Sequence, residues 1–271
     1  MPASQTNAPR IIAVANQKGG VGKTTTTVNL ATALAAVGSR VLLIDLDPQG
    51  NASTGLGVRR ASLTKSIYHV LTDGASIAET AIATKVKNLS LVPSSIHLSG
   101  ADIEMIAMRN REHKLRDALE QPLPYDYVLI DCPPSLSLLT LNALVAAASV
   151  LVPMQCEFYA LEGLTQLVKT IERVRGAFNP ALDIQGVVLT MFDPRNRLTN
   201  QVADDVRDYF GDKVYQTVIP RNVRLSEAPS FGLPAIVYDM KCAGSAAYLK
   251  LAKEVISQER KAQRLLQSAA A

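Results

Sequence analysis

The sequence predicts an α/β fold, a mostly parallel twisted sheet with helices on both faces. Three observations carry that expectation. Short apolar runs alternate with longer helical patterns, which is how parallel sheets covered by helices are built. Several runs end directly in a polar residue, Ala15 into Asn16, Ile44 into Asp45 and Ile130 into Asp131, and α/β sheets bind ligands beyond the carboxyl ends of their strands. Finally, a glycine-rich stretch, Gln17 to Thr25, lies between the first apolar run and the first helical pattern.

In order along the chain, Ile11–Ala15 reads as a buried strand from its β-branched content, Val41–Asp45 as a second and Leu89–Pro93 as a third. Tyr127–Asp131, Val150–Met154, Ile184–Thr190 and Val214–Ile219 follow. Helical periodicity covers Thr24–Val37, Ala101–Gln121, Leu138–Ala147, Leu161–Ala177, Gln201–Phe210 and Ser245–Gln267. No internal repeat, long linker or low-complexity block interrupts this alternation. The expected organisation is therefore a mobile N-terminal tail over residues 1–9, a single domain over 10–260 and a C-terminal tail over 261–271.

Composition narrows the class. Of 271 residues 48% are hydrophobic, Trp is absent and aromatics make up 5%, so the core must rest on aliphatic side chains. Cys132, Cys156 and Cys242 lie far apart without a C-x-x-C pair, which suggests neither a zinc site nor a disulfide framework. No segment reaches the ~18–20 apolar residues a membrane span needs, and Met1 to Pro9 lacks an apolar signal core. The net charge of +4 is mildly basic, weak evidence by itself for nucleic acid.

The chemistry begins at Gln17-Lys18-Gly19-Gly20-Val21-Gly22-Lys23-Thr24-Thr25. A strand before it and a helix after it are the context a phosphate-binding loop requires. Glycines let successive backbone N–H groups converge, and the helix N-terminus adds partial positive charge. Lys23 is expected to pair with the β- and γ-phosphates and the Thr24 hydroxyl to reach Mg²⁺. Thr24 to Thr27 put four β-branched residues into a first helical turn, a poor choice by propensity. Local rules are broken most often at functional sites. Asp45 and Asp47, two residues apart, can face the same cleft, and Pro48 and Gly50 then force a loop able to sense the γ-phosphate. Asp131 ends its strand where a carboxylate suits water-mediated Mg²⁺ binding, and Pro133 and Pro134 stiffen the loop that follows.

One feature departs from the common pattern G-x-x-x-x-G-K-[ST]: Gln17 stands for the first glycine and a second lysine, Lys18, follows it. This variant resembles the deviant Walker A motif of the MinD/ParA ATPases. Asp45–Gly57 (D-L-D-P-Q-G-N-A-S-T-G-L-G) resembles switch I of the ParA/Soj chromosome-partition ATPases, and Asp131–Leu136 (D-C-P-P-S-L) their switch II. Gln155–Gly163 and Ile219–Ser230 are further stretches similar to that family, and the resemblance spans roughly Arg10 to Ile256. It implies a P-loop NTPase of the deviant Walker A type with ATP and Mg²⁺ as cofactors. Lys18, Gly19, Gly20, Val21, Gly22, Lys23, Thr24 and Thr25 would form the phosphate site, with Lys18 reaching the phosphates of a partner subunit so that two chains sandwich two ATP molecules. Asp47 would position or activate the hydrolytic water, Asp45 would support Mg²⁺ and its waters beside Thr24 and Asp131, and Met191, Pro220 and Asn222 would hold the adenine.

The same resemblance implies an ATP-bound homodimer on nonspecific double-stranded DNA, with Arg195 and Arg224 at contact positions, and a ParB-type partner that triggers slow hydrolysis and release. A cytoplasmic, nucleoid-associated protein would follow. Basic and acidic residues between Arg195 and Arg224 are nearly balanced, so composition alone also fits a solvated mixed face. The alternative is a MinD-type septum-positioning ATPase with an amphipathic membrane helix. Residues 260–271 offer only two large apolar side chains and no aromatic, so no stable membrane association is expected. An iron–sulfur reductase using Cys132 and Cys156 lacks the spacing of a cluster motif, and a DNA coat that uses ATP only as glue would release no phosphate.

Overall fold

The computed structural model describes residues 8–59 and 63–270. Seven strands form one sheet: β1 (Arg10–Val14), β2 (Val41–Asp45), β3 (Ile82–Ala83), β4 (Leu89–Val92), β5 (Tyr127–Asp131), β6 (Ser149–Gln155) and β7 (Asp183–Thr190). Their spatial order is β3-β4-β2-β5-β1-β6-β7, and every pairing is parallel except the short edge pair β3–β4. The helices are α1 (Lys23–Ala36), α2 (Asn51–Gly55), α3 (Ile67–Thr72), α4 (Ile77–Thr80), α5 (Leu98–Ile106), α6 (Lys114–Leu119), α7 (Leu138–Ala146), α8 (Ala160–Ala177), α9 (Arg197–Phe210), α10 (Val223–Glu227), α11 (Ala235–Tyr238) and α12 (Ala243–Ala270).

Alternation along the strands builds two cores, one per face. Ala13, Leu42, Ile44, Val128 and Ile130 point to the side packed by α3 and α5 to α9. Ile12, Val14, Val41, Leu43 and Leu129 point to the side packed by α1, α11 and α12. All of these side chains are buried. Because both faces are covered, strands such as Val41–Asp45 read as unbroken apolar runs rather than alternating ones. Register sets Asp45 and Val14 on either side of Asp131. The two carboxylates therefore emerge side by side at the carboxyl edge of the sheet, on the α1 face.

Six of the seven expected strands appear within a residue of their predicted ends, and the remaining differences have physical reasons. Val214–Ile219 is not a regular strand. Among the described residues it carries two isolated bridges, Val187 to Val214 and Phe192 to Pro220: the Tyr215 and Ile219 amides meet the β7 edge, while the Gln216 and Thr217 amides between them donate to Glu254 of α12 at 2.7 and 3.0 Å. The edge strand β3 is two residues long and carries no periodicity to detect. Ala101–Gln121 breaks into α5 and α6, with Asn110 at a positive φ of 53° in the break. At the C-terminus, α12 continues to Ala270, so residues 261–270 extend a helix and are not a separate tail. The expected N-terminal tail lies outside the described residues up to residue 7. Among the described residues no helix is long and apolar enough to cross a membrane.

Candidate functional site

The loop between β1 and α1 turns on two left-handed glycines, Gly20 at φ 75° and Gly22 at φ 85°, conformations that other residues adopt only with strain. The Thr190 hydroxyl at the end of β7 donates to the Val21 carbonyl at 2.8 Å and holds the loop from outside. Lys23 is buried, and its ammonium donates to the Lys18 carbonyl at 2.9 Å. Burial pulls the Lys23 pKa below the ordinary lysine value, against the nearby carboxylates of Asp131 and Asp47. A buried cation closing on its own loop, ringed by backbone amides, is a seat for a polyphosphate.

The β-branched run at the start of α1 divides by direction. Thr24 and Thr25 are partly exposed at the loop, while Thr26 and Thr27 are buried. Thr26 pairs with the Tyr248 hydroxyl of α12 at 3.1 Å. Thr27 donates to Asp131 Oδ1 at 3.0 Å. The unfavourable propensity thus serves the ligand side with two hydroxyls and the α1–α12 and α1–β5 contacts with two more.

Asp131 is completely buried, and among the described residues its Oδ2 has no hydrogen-bond partner. Burial raises its pKa first and the adjoining charge of Asp45 second, while hydrogen bonds from Thr24 and Thr27 work the other way. A buried acceptor left open is costly, and a hydrated cation is the kind of group that satisfies it. Among the described residues no three His, Cys, Asp or Glu side chains gather to hold a metal by themselves. The donors present, the Thr24 hydroxyl and Asp131, therefore fit Mg²⁺ only if phosphate oxygens and water complete its shell, the usual arrangement for that ion.

Asp45 is also fully buried, but its oxygens are already engaged. Oδ2 accepts from the Ser53 amide at 2.7 Å and the Ser53 hydroxyl at 2.6 Å, and Oδ1 from the Asp47 amide at 3.3 Å. In this conformation Asp45 fastens α2 to the sheet edge. Asp47, 7% exposed, accepts from the Gln49 amide at 2.9 Å and lies close enough to Lys23 to oppose its deprotonation. Asp45, Asp47, Asp131, Lys23 and Thr24 are thus one cluster, as expected from the three strand ends.

Beside the loop lies a cavity of about 440 Å³ whose walls include Gly22, Met191, Pro220, Asn222, Pro229 and Tyr248. It contains all three residues expected to hold adenine. Met191 sits at φ 49°, a left-handed conformation that a non-glycine side chain keeps only when the surroundings enforce it. The Asn222 side chain accepts from the Arg224 amide at 3.0 Å and starts α10.

Lys18 stands apart from this cluster. Its ammonium contacts Glu157 Oε2 at 2.5 Å, and the Lys18 side chain is 37% exposed. Arg195 and Arg224 are exposed and ion-paired, Arg195 with Asp193 at 2.8 Å and Arg224 with Glu227 at 2.8 Å. The Phe192–Pro220 bridge joins their two segments, so both arginines belong to one end of the molecule. Cys132 and Cys156 are buried free thiols. Burial pushes the Cys132 pKa far up and that of Cys156 to about 11, so both are neutral thiols here.

Sequence reasoning missed Thr27, Ser53, Tyr248 and Glu157. Thr27 had a detectable signal, lying one turn after Lys23 on the same helix face. The other three act through contacts more than seven residues away in sequence, so the motif stretches that hold Ser53 and Glu157 do not reveal which side chains they meet.

The comparisons agree with this geometry. A family model described as an AAA domain matches residues 9–184. The chromosome partitioning protein ParA of Caulobacter vibrioides (strain NA1000 / CB15N) is 63% identical over 257 residues, 94% of this chain and 96% of that protein. The sporulation initiation inhibitor protein Soj of Bacillus subtilis (strain 168) is 56% identical over 247 residues, 91% of this chain and 98% of that protein. Among solved structures, cobyrinic acid a,c-diamide synthase from Mycobacterium smegmatis, with bound ATP analogue and magnesium, superposes with a TM-score of 0.82 at 37% identity, covering 93% of this chain and 96% of that one. With a phosphate loop, clustered carboxylates and near full-length likeness in agreement, the chain belongs to the ParA/Soj family of chromosome-partitioning ATPases.

Proposed function

We propose that this protein moves DNA by cycling between an ATP-bound dimer on nonspecific double-stranded DNA and a released, hydrolysed state. The observation that supports this reading most directly is the division of labour between two lysines. Lys23 is buried in its own loop, whereas Lys18 stands on the exposed rim and is not needed there to hold a phosphate in cis. A rim lysine of this kind suits a contact made across a dimer, onto the ATP of the other chain.

In the proposed cycle the loop amides and Lys23 bind the ATP phosphates, and Met191, Pro220 and Asn222 seat the base. When bound, Mg²⁺ would supply neutralisation of phosphate charge. Thr24 is the residue that would hold it directly, with Asp131 and Asp45 acting on the ion through its waters. Asp47, buried beside Lys23, orients the water that attacks the γ-phosphate and converts ATP and water to ADP and phosphate. Loss of the γ-phosphate frees the loops that follow Asp47 and Asp131. Turnover is slow until a ParB-type partner completes the arrangement, and the DNA-bound pool resides on the nucleoid in the cytoplasm.

Dimerisation doubles the number of basic residues offered to one duplex, which links DNA affinity steeply to nucleotide state. The test is DNA binding with ATP, with ADP and without nucleotide, at several salt concentrations. Salt-sensitive binding confined to ATP is the expected result. Equal binding in all three states, or ATP-dependent sedimentation with anionic lipid vesicles instead of DNA, would count against the proposal.

A further inference from the structure

The rim that carries Lys18 is more constrained than a solvated loop. Asn16 anchors the elbow twice: its Nδ2 donates to the Pro153 carbonyl of β6 at 2.8 Å, and its Oδ1 accepts from the Lys18 amide at 3.0 Å. Gln17 Nε2 reaches the Thr170 hydroxyl of α8 at 3.4 Å. The Lys18 ammonium then ends on Glu157, in the turn between β6 and α8, whose own amide is bonded to the Gln155 carbonyl at 3.0 Å. Immediately after Glu157 come Phe158 and Tyr159, 75% and 67% exposed and packed edge to face at 5.1 Å. Large exposed aromatics beside a charged pair mark a surface that another molecule covers.

We propose that Glu157 is a positioning residue for Lys18 that parks its ammonium in cis, so that the lysine is released only when a more highly charged acceptor, the polyphosphate held by a second copy of this chain, competes for it. The inference rests on the trans role of Lys18 given above and goes beyond it by naming what sets the threshold for that contact. A carboxylate carries one negative charge, whereas ATP carries several, concentrated where the loop amides hold them. The exchange is therefore unfavourable without nucleotide and favourable with it. Partly exposed ion pairs of this kind shift an equilibrium a few-fold each. Two of them break in a symmetric dimer, so removing the parking carboxylate tightens dimerisation about tenfold.

The test is sedimentation equilibrium with a non-hydrolysed ATP analogue and Mg²⁺, on wild type, Glu157→Gln, Glu157→Asp, Lys18→Ala and the double variant Lys18→Ala/Glu157→Gln. Glu157 lies at the surface with its side chain 44% exposed, so these changes leave the fold intact. Glu157→Gln is expected to dimerise about tenfold more tightly and Glu157→Asp within about twofold of wild type, while the double variant behaves as Lys18→Ala does. Binding of a fluorescent ATP analogue to the monomer is expected to be the same for wild type and Glu157→Gln. Unchanged or weaker dimerisation of Glu157→Gln would overturn the proposal. So would rescue of Lys18→Ala by the second substitution, which would mean that the glutamate acts without the lysine. A shift in monomer affinity would place the effect in cis and overturn it as well. Failure of the underlying reading is separately visible, because Lys18→Ala alone would then dimerise like wild type.

Discussion

At the residue scale the molecule accepts an unfavourable arrangement, two carboxylates side by side and without solvent. Asp45 and Asp131 are neighbours across β2 and β5; burial lifts the pKa of Asp45 to about 6, and burial followed by the charge of Asp45 lifts that of Asp131 to about 8. A carboxyl whose folded pKa is raised binds its proton more tightly folded than unfolded. The nucleotide-free protein should then gain stability as pH falls from about 8 to about 6, the reverse of an ion-paired carboxylate. Urea unfolding at those two pH values checks the sign. Asp131→Asn removes one charge and keeps the shape, so the same measurement at pH 8 should show it more stable by about 1–2 kcal/mol, with Mg²⁺-dependent turnover lost. A variant both less stable and inactive would mean that Asp131 is structural. Asp47→Ala separates binding from chemistry: fluorescent-nucleotide binding should stay within a few-fold of wild type, while phosphate release falls by ~10²-fold or more.

At the scale of elements, what was legible follows from how local the cause is. The P-loop, the strands that feed it and the carboxylates at their ends could be read because each is fixed by residues within a few positions. Helix α2 could not, since its start is made by Gly50 in a left-handed turn and by Asp45 accepting from Ser53, eight residues on. The segment from Val214 to Ile219 has the composition of a strand yet runs past β7 with only two ladder-like bonds. It leads into Pro220 and Asn222 at the cavity wall. A close backbone contact between elements was also invisible beforehand. Gly57, just past α2, meets Gly232, just before α11, both with positive φ, and a Cβ on Gly57 would stand 2.8 Å from the Gly232 carbonyl. Gly57→Ala is therefore expected to cost about 2–4 kcal/mol by thermal or urea unfolding. Because α2 hangs from Asp45, the same substitution should weaken ATP binding, whereas Gly38→Ala, also at positive φ but in open space, should show only the smaller backbone strain of about 1 kcal/mol.

At the scale of the whole molecule the proposed function asks a chain with a net charge of only +4 to bind DNA. Uniform basicity is not the answer, because Arg195 and Arg224 are already matched to Asp193, Glu227 and Asp239. Those pairs lie at the surface, where each is worth little and exchanges readily with a phosphate. Exchange with DNA releases condensed counterions, so affinity should fall steeply with salt. If each arginine meets one phosphate, the double variant Arg195→Ala/Arg224→Ala loses two contacts per chain and four per dimer. Its log-log salt slope should then be shallower than that of wild type by about 3–4. Asp193→Asn should act in the opposite sense, freeing Arg195 and tightening binding a few-fold at low salt while leaving turnover without DNA unchanged. Fluorescence anisotropy with a short duplex and a non-hydrolysed ATP analogue measures both. Weaker binding with an unchanged slope would mean that the arginines act on the dimer and not on phosphate. A shallower slope at unaltered dimerisation would assign the DNA contact to this end of the molecule, the end joined through the Phe192–Pro220 bridge to the nucleotide cavity.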